Sequence, residues 1–172
     1  MRVFMNGFPK SGNHALWKAC ELLGVPGVVN HEAFDEKYLS DKNIFIKRDP
    51  RNVIVSMLRM NKQSVTDGMF ITRFRKFQQR SLIDDMAEYE PWLSHNRVLV
   101  VRYEDLIKDD RTMREIAKHL DIPYLRDAYK HLPGHTRTWN IDRSDYCAIW
   151  SDAVEQVWCS EGGPELLTRW GY

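Results

Sequence analysis

Residues 2–23 read RVFMNGFPKSGNHALWKACELL and predict a strand, a tight loop and a helix in direct succession. Residues 2–8 form a mostly apolar run that suits a buried strand. The loop extends from Pro9 to Asn13, and the apolar spacing from His14 to Leu23 predicts a helix that ends at Gly24. A strand that leads directly into a helix is typical of α/β proteins.

Three further segments predict strands of the same sheet. They are residues 28–34, residues 43–48 and residues 97–103, of which the last, RVLVVRY, is the clearest. The strands are continuously apolar rather than alternating, which is the pattern of a mostly parallel sheet flanked by helices on both faces. A chain of 172 residues is long enough for one such domain, and we expect residues 1–172 to form it.

Helical patterns fill the connections between the strands. Asp49 at the N-cap and Pro50 at the first helical position predict a helix start. Residues 71–92 predict one long helix, and residues 113–120 carry apolar side chains at helical spacing. We expect the large aromatic residues of the helical segments to pack in the core or at its edge: Phe70, Phe74, Phe77, Trp150, Trp158 and Trp170. The alternative for the three phenylalanines is that they line a substrate cleft.

Composition excludes several classes of protein. The formal net charge is only +1, so no global field recruits nucleic acid or an anionic membrane. No apolar run is long enough to span a bilayer, and the N-terminus does not resemble a signal peptide. The three cysteines are scattered without a CxxC pair, which favours reduced thiols, a cytoplasmic location and no metal site.

The first loop has the chemistry of an anion site. Gly7 and Gly12 allow the backbone to curl so that its N–H groups face inward, and the following helix start adds a positive dipole end. Lys10 places a full charge within this loop. The loop is not a Walker A motif, because Gly12 is followed by Asn13 rather than by Lys-Ser/Thr. The alternative is an ordinary turn with an exposed lysine.

A second anion site is predicted where the third strand ends. Arg48 follows that strand, and Ser56 lies nearly two turns into the next helix. A basic side chain, free helix amides and a hydroxyl can hold a phosphate, although a capped helix with solvated arginines is the simpler interpretation of this motif alone. Two anion sites on neighbouring strands suit a nucleotide phosphorylated at both ends of its ribose.

Four segments in this order resemble the sulfotransferase family, which uses 3′-phosphoadenosine 5′-phosphosulfate (PAPS) and releases adenosine 3′,5′-bisphosphate (PAP). They are FPKSGN at residues 8–13, RDPRNVIVS at 48–56, VRYEDL at 101–106, and GHTRTWN at 134–140 with the terminal Gly-Tyr. The resemblance implies a P-loop-like, three-layer α/β sandwich.

The resemblance also implies roles for individual residues. The 5′-phosphosulfate ligands would be Lys10, Ser11, Gly12, Asn13 and His14. Arg48 and Ser56 would hold the 3′-phosphate, Arg137 is the best match to a further basic ligand there, and Tyr103 would lie near the adenosine. The family's adenine-stacking tryptophan is replaced by Ala15, and the nearby Trp17 lies on another helix face.

The implied reaction moves a sulfuryl group to a hydroxyl or amine of a small molecule, glycan or peptide. Lys10 would stabilise the leaving phosphate, and His31 fits the place of the family's general base, with Glu32 as the alternative. Two other hypotheses remain open: a P-loop nucleotide kinase or NTPase, and a non-catalytic nucleotide-binding domain of the same fold. We expect neither a metal ion nor a nucleic-acid partner.

Overall fold

A computed structural model describes residues 2–59, 66–74, 81–125, 127–132 and 146–172. Within these ranges the strands are β1 (Val3–Gly7), β2 (Val29–Asn30), β3 (Lys42–Lys47) and β4 (Val98–Arg102). They form one parallel sheet in the order β2-β1-β3-β4. The predicted α/β class with a parallel sheet is confirmed.

Helices follow or precede each of these strands. In chain order they are α1 (Asn13–Leu22), α2 (Pro50–Arg59), α3 (Asp67–Phe74), α4 (Leu82–Ala87), α5 (Glu90–Ser94), α6 (Tyr103–Leu106), α7 (Arg111–His119), α8 (Asp152–Ser160) and α9 (Gly163–Trp170). Short 3₁₀ turns occupy Glu36–Tyr38, Ala128–His131 and Tyr146–Ile149. In the part of the chain that is described, no helix has the length and apolar character needed to cross a membrane.

The chain divides into two compact units. The first contains Met1–Arg48 and Pro91–Trp139, and therefore the whole sheet. The second contains Asp49–Glu90 and Asn140–Tyr172. Whether the two units act as a single domain of residues 1–172 stays a prediction.

The sheet of the first unit has two different faces, because successive side chains of a strand point to opposite sides. Met5 on β1 lies beside Ile44 on β3, which lies beside Leu99 on β4, and this face packs against α1 and α7. On the other face the Trp92 ring of α5 stacks at 5.6 Å from Phe4 and at 6.3 Å from Phe45, between ring centroids. Helical residues thus cover both faces.

The second unit is held together by aromatic side chains. Phe74 of α3 and Trp158 of α8 are fully buried with ring centroids 5.7 Å apart, and Trp170 of α9 is fully buried as well. Trp150 is half-buried and makes an edge contact with Phe70 at 5.4 Å. The predicted core position is confirmed for Phe70, Phe74, Trp158 and Trp170, whereas Trp150 packs at the edge of this cluster and Phe77 lies outside the described residues.

The prediction of one long helix over residues 71–92 is wrong. Ser81 has an extended backbone, with φ −90° and ψ 166°, and it begins the new helix α4. Its hydroxyl accepts a hydrogen bond from the Asp84 amide at 3.1 Å, and its own amide donates to the Asp84 carboxylate at 2.8 Å. This capping box satisfies the first amides of α4, and it is stable only where a helix begins.

The second strand is also shorter than the predicted residues 28–34. Only Val29 and Asn30 pair with β1. Beyond them the Glu32 amide donates to the side-chain oxygen of Asn6 at 3.0 Å rather than to a strand carbonyl. A buried polar side chain on β1 therefore ends the backbone ladder.

Candidate active site

The loop between β1 and α1 has a strained backbone. Lys10 has φ 70° and Gly12 has φ 101°, so both lie in the left-handed region. Glycine adopts this region freely, but for lysine it costs roughly 1–3 kcal/mol. Strain of this kind persists only where the surroundings enforce it, and it concentrates at functional sites. The predicted curled loop is therefore present, and Lys10 is half-buried rather than fully exposed.

Ser11 is the most deeply buried residue of this loop. It has no exposed surface, and its hydroxyl oxygen contacts no hydrogen-bond partner among the described residues. A buried hydroxyl without a partner costs roughly 1–3 kcal/mol. The loop thus contains a polar atom whose hydrogen-bonding capacity is available to a ligand.

Gly12 is in close contact with Tyr103, the first residue after β4. A Cβ atom on Gly12 would collide with the Tyr103 ring, so only glycine fits between the ring and the loop. Burial raises the pKa of Tyr103, and the positive charge of Arg48 opposes part of this rise. Tyr103 is therefore uncharged at neutral pH, and its buried ring packs against the loop.

Arg48 follows β3 and turns towards the same loop. Only 7% of its surface is exposed. Its guanidinium carbon lies 4.6 Å from the centre of the Tyr103 ring, within cation–π range. One terminal nitrogen donates to the carbonyl of Lys10 at 3.3 Å. The ends of β1, β3 and β4 therefore bring Lys10, Arg48 and Tyr103 together, as a parallel sheet predicts.

His31 follows β2 and reaches the start of the loop. Its Nδ1 atom lies 2.9 Å from the carbonyl oxygen of Gly7 and 3.1 Å from the side-chain nitrogen Nδ2 of Asn13. The Asn13 side chain lies beneath the loop, where its amide also donates to the Phe8 carbonyl at 2.9 Å. The loop thus holds the Nδ1 edge of the His31 ring, and the residue itself is exposed.

Glu32 is held by three different groups. The side-chain nitrogen Nδ2 of Asn6 and the indole nitrogen of Trp92 both donate to its backbone carbonyl, at 2.8 Å and 3.1 Å. The Tyr38 hydroxyl donates to its carboxylate at 3.1 Å. This grip fixes the backbone next to His31. Asn6, Tyr38 and Trp92 were not among the predicted site residues, although a polar Asn6 within an apolar strand was a usable signal.

The remaining predicted site residues differ in their burial. His14 is exposed on α1, Ala15 is buried, and Trp17 is 37% exposed. Ser56 is half-buried on α2 in the second unit. Arg137 lies outside the described residues. In the described part of the chain no cluster of three or more His, Cys, Asp or Glu side chains could hold a metal ion.

The sequence pattern of the sulfotransferase domain matches residues 29–161, which is most of the chain. The chain belongs to the sulfotransferase family. The match begins at β2, so it includes His31, Arg48, Ser56 and Tyr103, whereas the loop with Lys10 precedes it. No curated protein has a significantly similar sequence.

A solved structure shares the sulfotransferase fold of this chain. It is that of mouse sulfotransferase SULT7A1 complexed with PAP, with a TM-score of 0.68 and 16% sequence identity. The match covers 96% of this chain and 84% of the mouse chain. At this identity the likeness establishes the fold.

Proposed function

We propose that this sulfotransferase-family chain is an enzyme that transfers a sulfuryl group from PAPS to a hydroxyl or amine. The observation that carries the proposal is Arg48, a buried cation that turns towards the loop containing Lys10 instead of towards solvent. Two cationic side chains at adjacent strand ends suit a nucleotide with phosphate at both ends of its ribose. The mouse relative, whose structure contains PAP, supports the same ligand.

The first loop fits the 5′-phosphosulfate. Its buried Ser11 hydroxyl has no partner among the described residues, and the left-handed conformation of Gly12 lets the loop curl before α1 begins. The first amides of α1 have no partners within the helix, and they favour an anion. Lys10 supplies the positive charge, and we expect Ser11, Gly12, Asn13 and His14 to complete the binding loop.

We expect the 3′-phosphate to bind Arg48, with Ser56 and Arg137 as further ligands, and the adenosine to lie near Tyr103. A guanidinium suits this role because it presents several N–H donors to phosphate oxygens. The position of Arg48 supports its part of this assignment. The roles of Ser56 and Arg137 rest on the family resemblance.

The proposed step is an in-line displacement. The acceptor oxygen forms a bond to sulfur, the bond from sulfur to the bridging phosphate oxygen breaks, and PAP leaves with that electron pair. The acceptor proton passes to a base on the protein and then to solvent. A sulfuryl group carries less charge than a terminal phosphate, so Lys10 and loop amides can stabilise the developing charge without a metal ion.

We propose His31 as the base that accepts this proton, because its ring contacts Gly7 and Asn13 at the two ends of the loop and the residue is exposed. Glu32 is the alternative. Its carboxylate accepts a hydrogen bond from the Tyr38 hydroxyl, whereas the His31 ring contacts Gly7 and Asn13 at the two ends of the first loop. The contact pattern therefore favours His31.

Three broader expectations accompany the reaction. We propose that both compact units belong to one catalytic domain over residues 1–172. We also propose a cytoplasmic location, since Cys20, Cys147 and Cys159 all lie in the described residues and none of them forms a disulfide. We expect the acceptor to be a small molecule, a glycan or a peptide.

Thermal-shift and transfer measurements test the proposed function together. We expect PAP to raise the melting temperature without Mg²⁺, and labelled sulfate to pass from PAPS to some member of a panel of phenols, sugars, amines and tyrosine peptides. Stabilisation by Mg-ATP but not by PAP would instead identify a nucleotide kinase or NTPase. PAP binding without transfer to any acceptor would identify a non-catalytic nucleotide-binding domain.

A further inference from the structure

The hydrogen positions around His31 can be deduced by counting donors. Three acceptors surround the Asn13 amide nitrogen, which has only two hydrogens: the Phe8 carbonyl at 2.9 Å, the Gly7 carbonyl at 3.4 Å and the ring atom Nδ1 of His31 at 3.1 Å. His31 Nδ1 lies closer still to the Gly7 carbonyl, at 2.9 Å. A carbonyl oxygen only accepts, so the protonation of Nδ1 decides the arrangement.

Protonation at Nδ1 gives each N–H donor of this cluster an acceptor among the described residues, whereas the Asn13 side-chain oxygen has no partner there. Nδ1–H donates to the Gly7 carbonyl, and the two Asn13 hydrogens go to the Phe8 and Gly7 carbonyls. The opposite tautomer places a nitrogen lone pair 2.9 Å from the Gly7 oxygen, which is repulsive. In that tautomer one hydrogen of the Asn13 side-chain amide donates to the ring nitrogen and the other donates to the Phe8 carbonyl. The Gly7 carbonyl then loses both side-chain donors, His31 and Asn13.

The surroundings keep the Gly7 carbonyl in this position. A Cβ atom on Gly7 would collide with the Asn13 side-chain oxygen and with Ile46, so the strand end and the asparagine are packed against each other. Asn13 is 7% exposed and lies on the first turn of α1. In the residue after His31, the side chains of Asn6 and Trp92 hold the backbone carbonyl of Glu32.

We propose that the backbone carbonyl of Gly7 is the positioning group of the His31 base: it fixes the Nδ1–H tautomer, so that Nε2 carries the lone pair that accepts the acceptor's proton. When Nε2 takes the proton, the bond from Nδ1 to Gly7 becomes charge-assisted and stronger. Gly7 also begins the loop that would hold the donor nucleotide. One residue therefore aligns the base with the donor site, and this inference rests on the proposed function only for the use of Nε2.

Nitrogen-15 NMR of the full chain, labelled at its six histidines, tests the tautomer directly. The ring signals of His31 are assigned by their loss in His31→Gln. Spectra are recorded at increasing pH until the His31 signals stop changing, so that the ring is neutral. We expect a protonated Nδ1 and an unprotonated Nε2. A protonated Nε2 would overturn the inference.

Two variants separate the Gly7 carbonyl from its neighbour. Asn13→Ala removes the side-chain amide that lies 3.1 Å from Nδ1, and we expect the Nδ1–H tautomer to survive because its acceptor is the backbone. A change to Nε2–H in this variant would show that Asn13 sets the tautomer, and would overturn the inference. Asn30→Ala is the matched control. It also removes a side-chain amide that donates to a β1 carbonyl, that of Met5 at 3.2 Å, and Asn30 directly precedes His31 in the chain.

The NMR test of the tautomer and the test of sulfuryl transfer have separate outcomes. A protonated Nε2 in a chain that transfers sulfuryl groups contradicts the role of Gly7 and leaves the proposed function intact. A protonated Nδ1 supports that role, whereas the absence of transfer to every acceptor contradicts the proposed function. In an active chain, Gly7→Ala displaces the carbonyl, and we expect kcat to fall at least about tenfold while circular dichroism reports whether the variant is folded.

Discussion

The polar side chains at the two ends of the parallel sheet differ in backbone strain and in how fully their hydrogen bonds are satisfied. At the carboxyl ends of the strands, Lys10 has a left-handed backbone, the buried Ser11 hydroxyl lacks a described partner, and Arg48 is buried beside an aromatic ring. At the amino ends, Lys42 of β3 forms an exposed ion pair with Asp121 at 2.6 Å. Asn43, beside it, is buried.

Hydrogen bonds explain why the amino end is purely structural. The Asn43 amide nitrogen donates to the carbonyls of Ser40 and Arg97 at 3.1 Å and 3.2 Å, and its oxygen accepts from the Ser40 amide at 2.8 Å. The buried polar group there is satisfied within the chain. The carboxyl end instead retains strain and an unsatisfied hydroxyl, which is the usual cost of a preformed binding site.

Lys10 gives the largest expected difference between the two ends. Lys10→Ala removes the loop charge, and we expect kcat for sulfuryl transfer to fall about 10²–10³-fold, the usual cost of losing one donor to a developing charge. Lys10→Gly should be equally inactive but more stable than Lys10→Ala, by about 1 kcal/mol, because glycine accepts the φ of 70° without strain. Steady-state kinetics and urea unfolding measure the two effects.

The pair of variants separates charge from backbone shape. Equal stability of Lys10→Gly and Lys10→Ala would mean that the left-handed conformation carries no strain. Substantial transfer by either variant would remove Lys10 from the proposed reaction. Asn43→Ala is the control at the opposite end, where activity should be unchanged.

Arg48 gives the next largest effect, and Arg51 of the same RDPR motif is its matched control. Arg48→Gln should weaken PAP binding by roughly 10–100-fold, the value of a charge-assisted hydrogen bond, and reduce the preference for PAP over 5′-AMP. Arg51 instead pairs with the Asp49 carboxylate at 2.7 Å and lies 4.1 Å from the Tyr146 ring centre. Arg51→Gln should therefore keep the preference for PAP.

Calorimetric titration of both nucleotides measures that preference. If Arg48→Gln and Arg51→Gln lose it equally, the assignment of Arg48 to the 3′-phosphate is wrong. A loss confined to Arg51→Gln would move the 3′-phosphate site to the second unit.

Sequence patterns predicted the parts of the fold that depend on local physics. The apolar strands, the glycine loop and the Asp49-Pro50 helix start all encode their conformation within a few residues, and the structure contains each of them. The break at Ser81 was missed because apolar spacing continues across it, whereas its capping box with Asp84 depends on a single pair of side chains.

The candidate site was predicted only where the strand ends themselves form it. Lys10, Arg48 and Tyr103 follow three strands and meet because parallel strands end at one edge. Asn6 and Trp92 were missed because they contact Glu32 from 26 and 60 residues away in sequence. Tyr38 lies only six residues from Glu32, but its hydroxyl reaches the carboxylate through the fold of the segment between them. No local pattern records which backbone carbonyl a distant side chain will contact.

Asn43 should produce a moderate effect on stability and none on chemistry. Asn43→Ala leaves the Ser40 amide and the Ser40 and Arg97 carbonyls without their side-chain partner, and we expect a loss of about 1–3 kcal/mol in the free energy of unfolding. Urea unfolding measures this loss. Below the unfolding transition, kcat and KM should match those of the unmodified chain, and a large fall in kcat would mean that the two ends are coupled.

Lys42 gives the smallest effect, and it is best seen by titration. The pKa of His119 lies below its ordinary value because of burial first and the positive charge of Lys42 second. Lys42→Met removes only the second cause, so we expect the pKa of His119 to rise slightly while remaining below the ordinary value, as measured by NMR. The rise should shrink in high salt, which screens charges at an exposed site.

The same substitution changes how stability depends on pH. Lys42 lowers the pKa of Asp121, so the pair stabilises the folded state above the ordinary carboxyl pKa and loses that contribution as the pH falls and Asp121 is protonated. Lys42→Met should therefore be slightly less stable than the unmodified chain near neutral pH, with sulfuryl transfer unaffected. In acid this deficit should vanish or reverse, because Asp121 is then neutral and protonated His119 is no longer repelled by Lys42. A deficit of the variant that grew in acid would contradict both assignments.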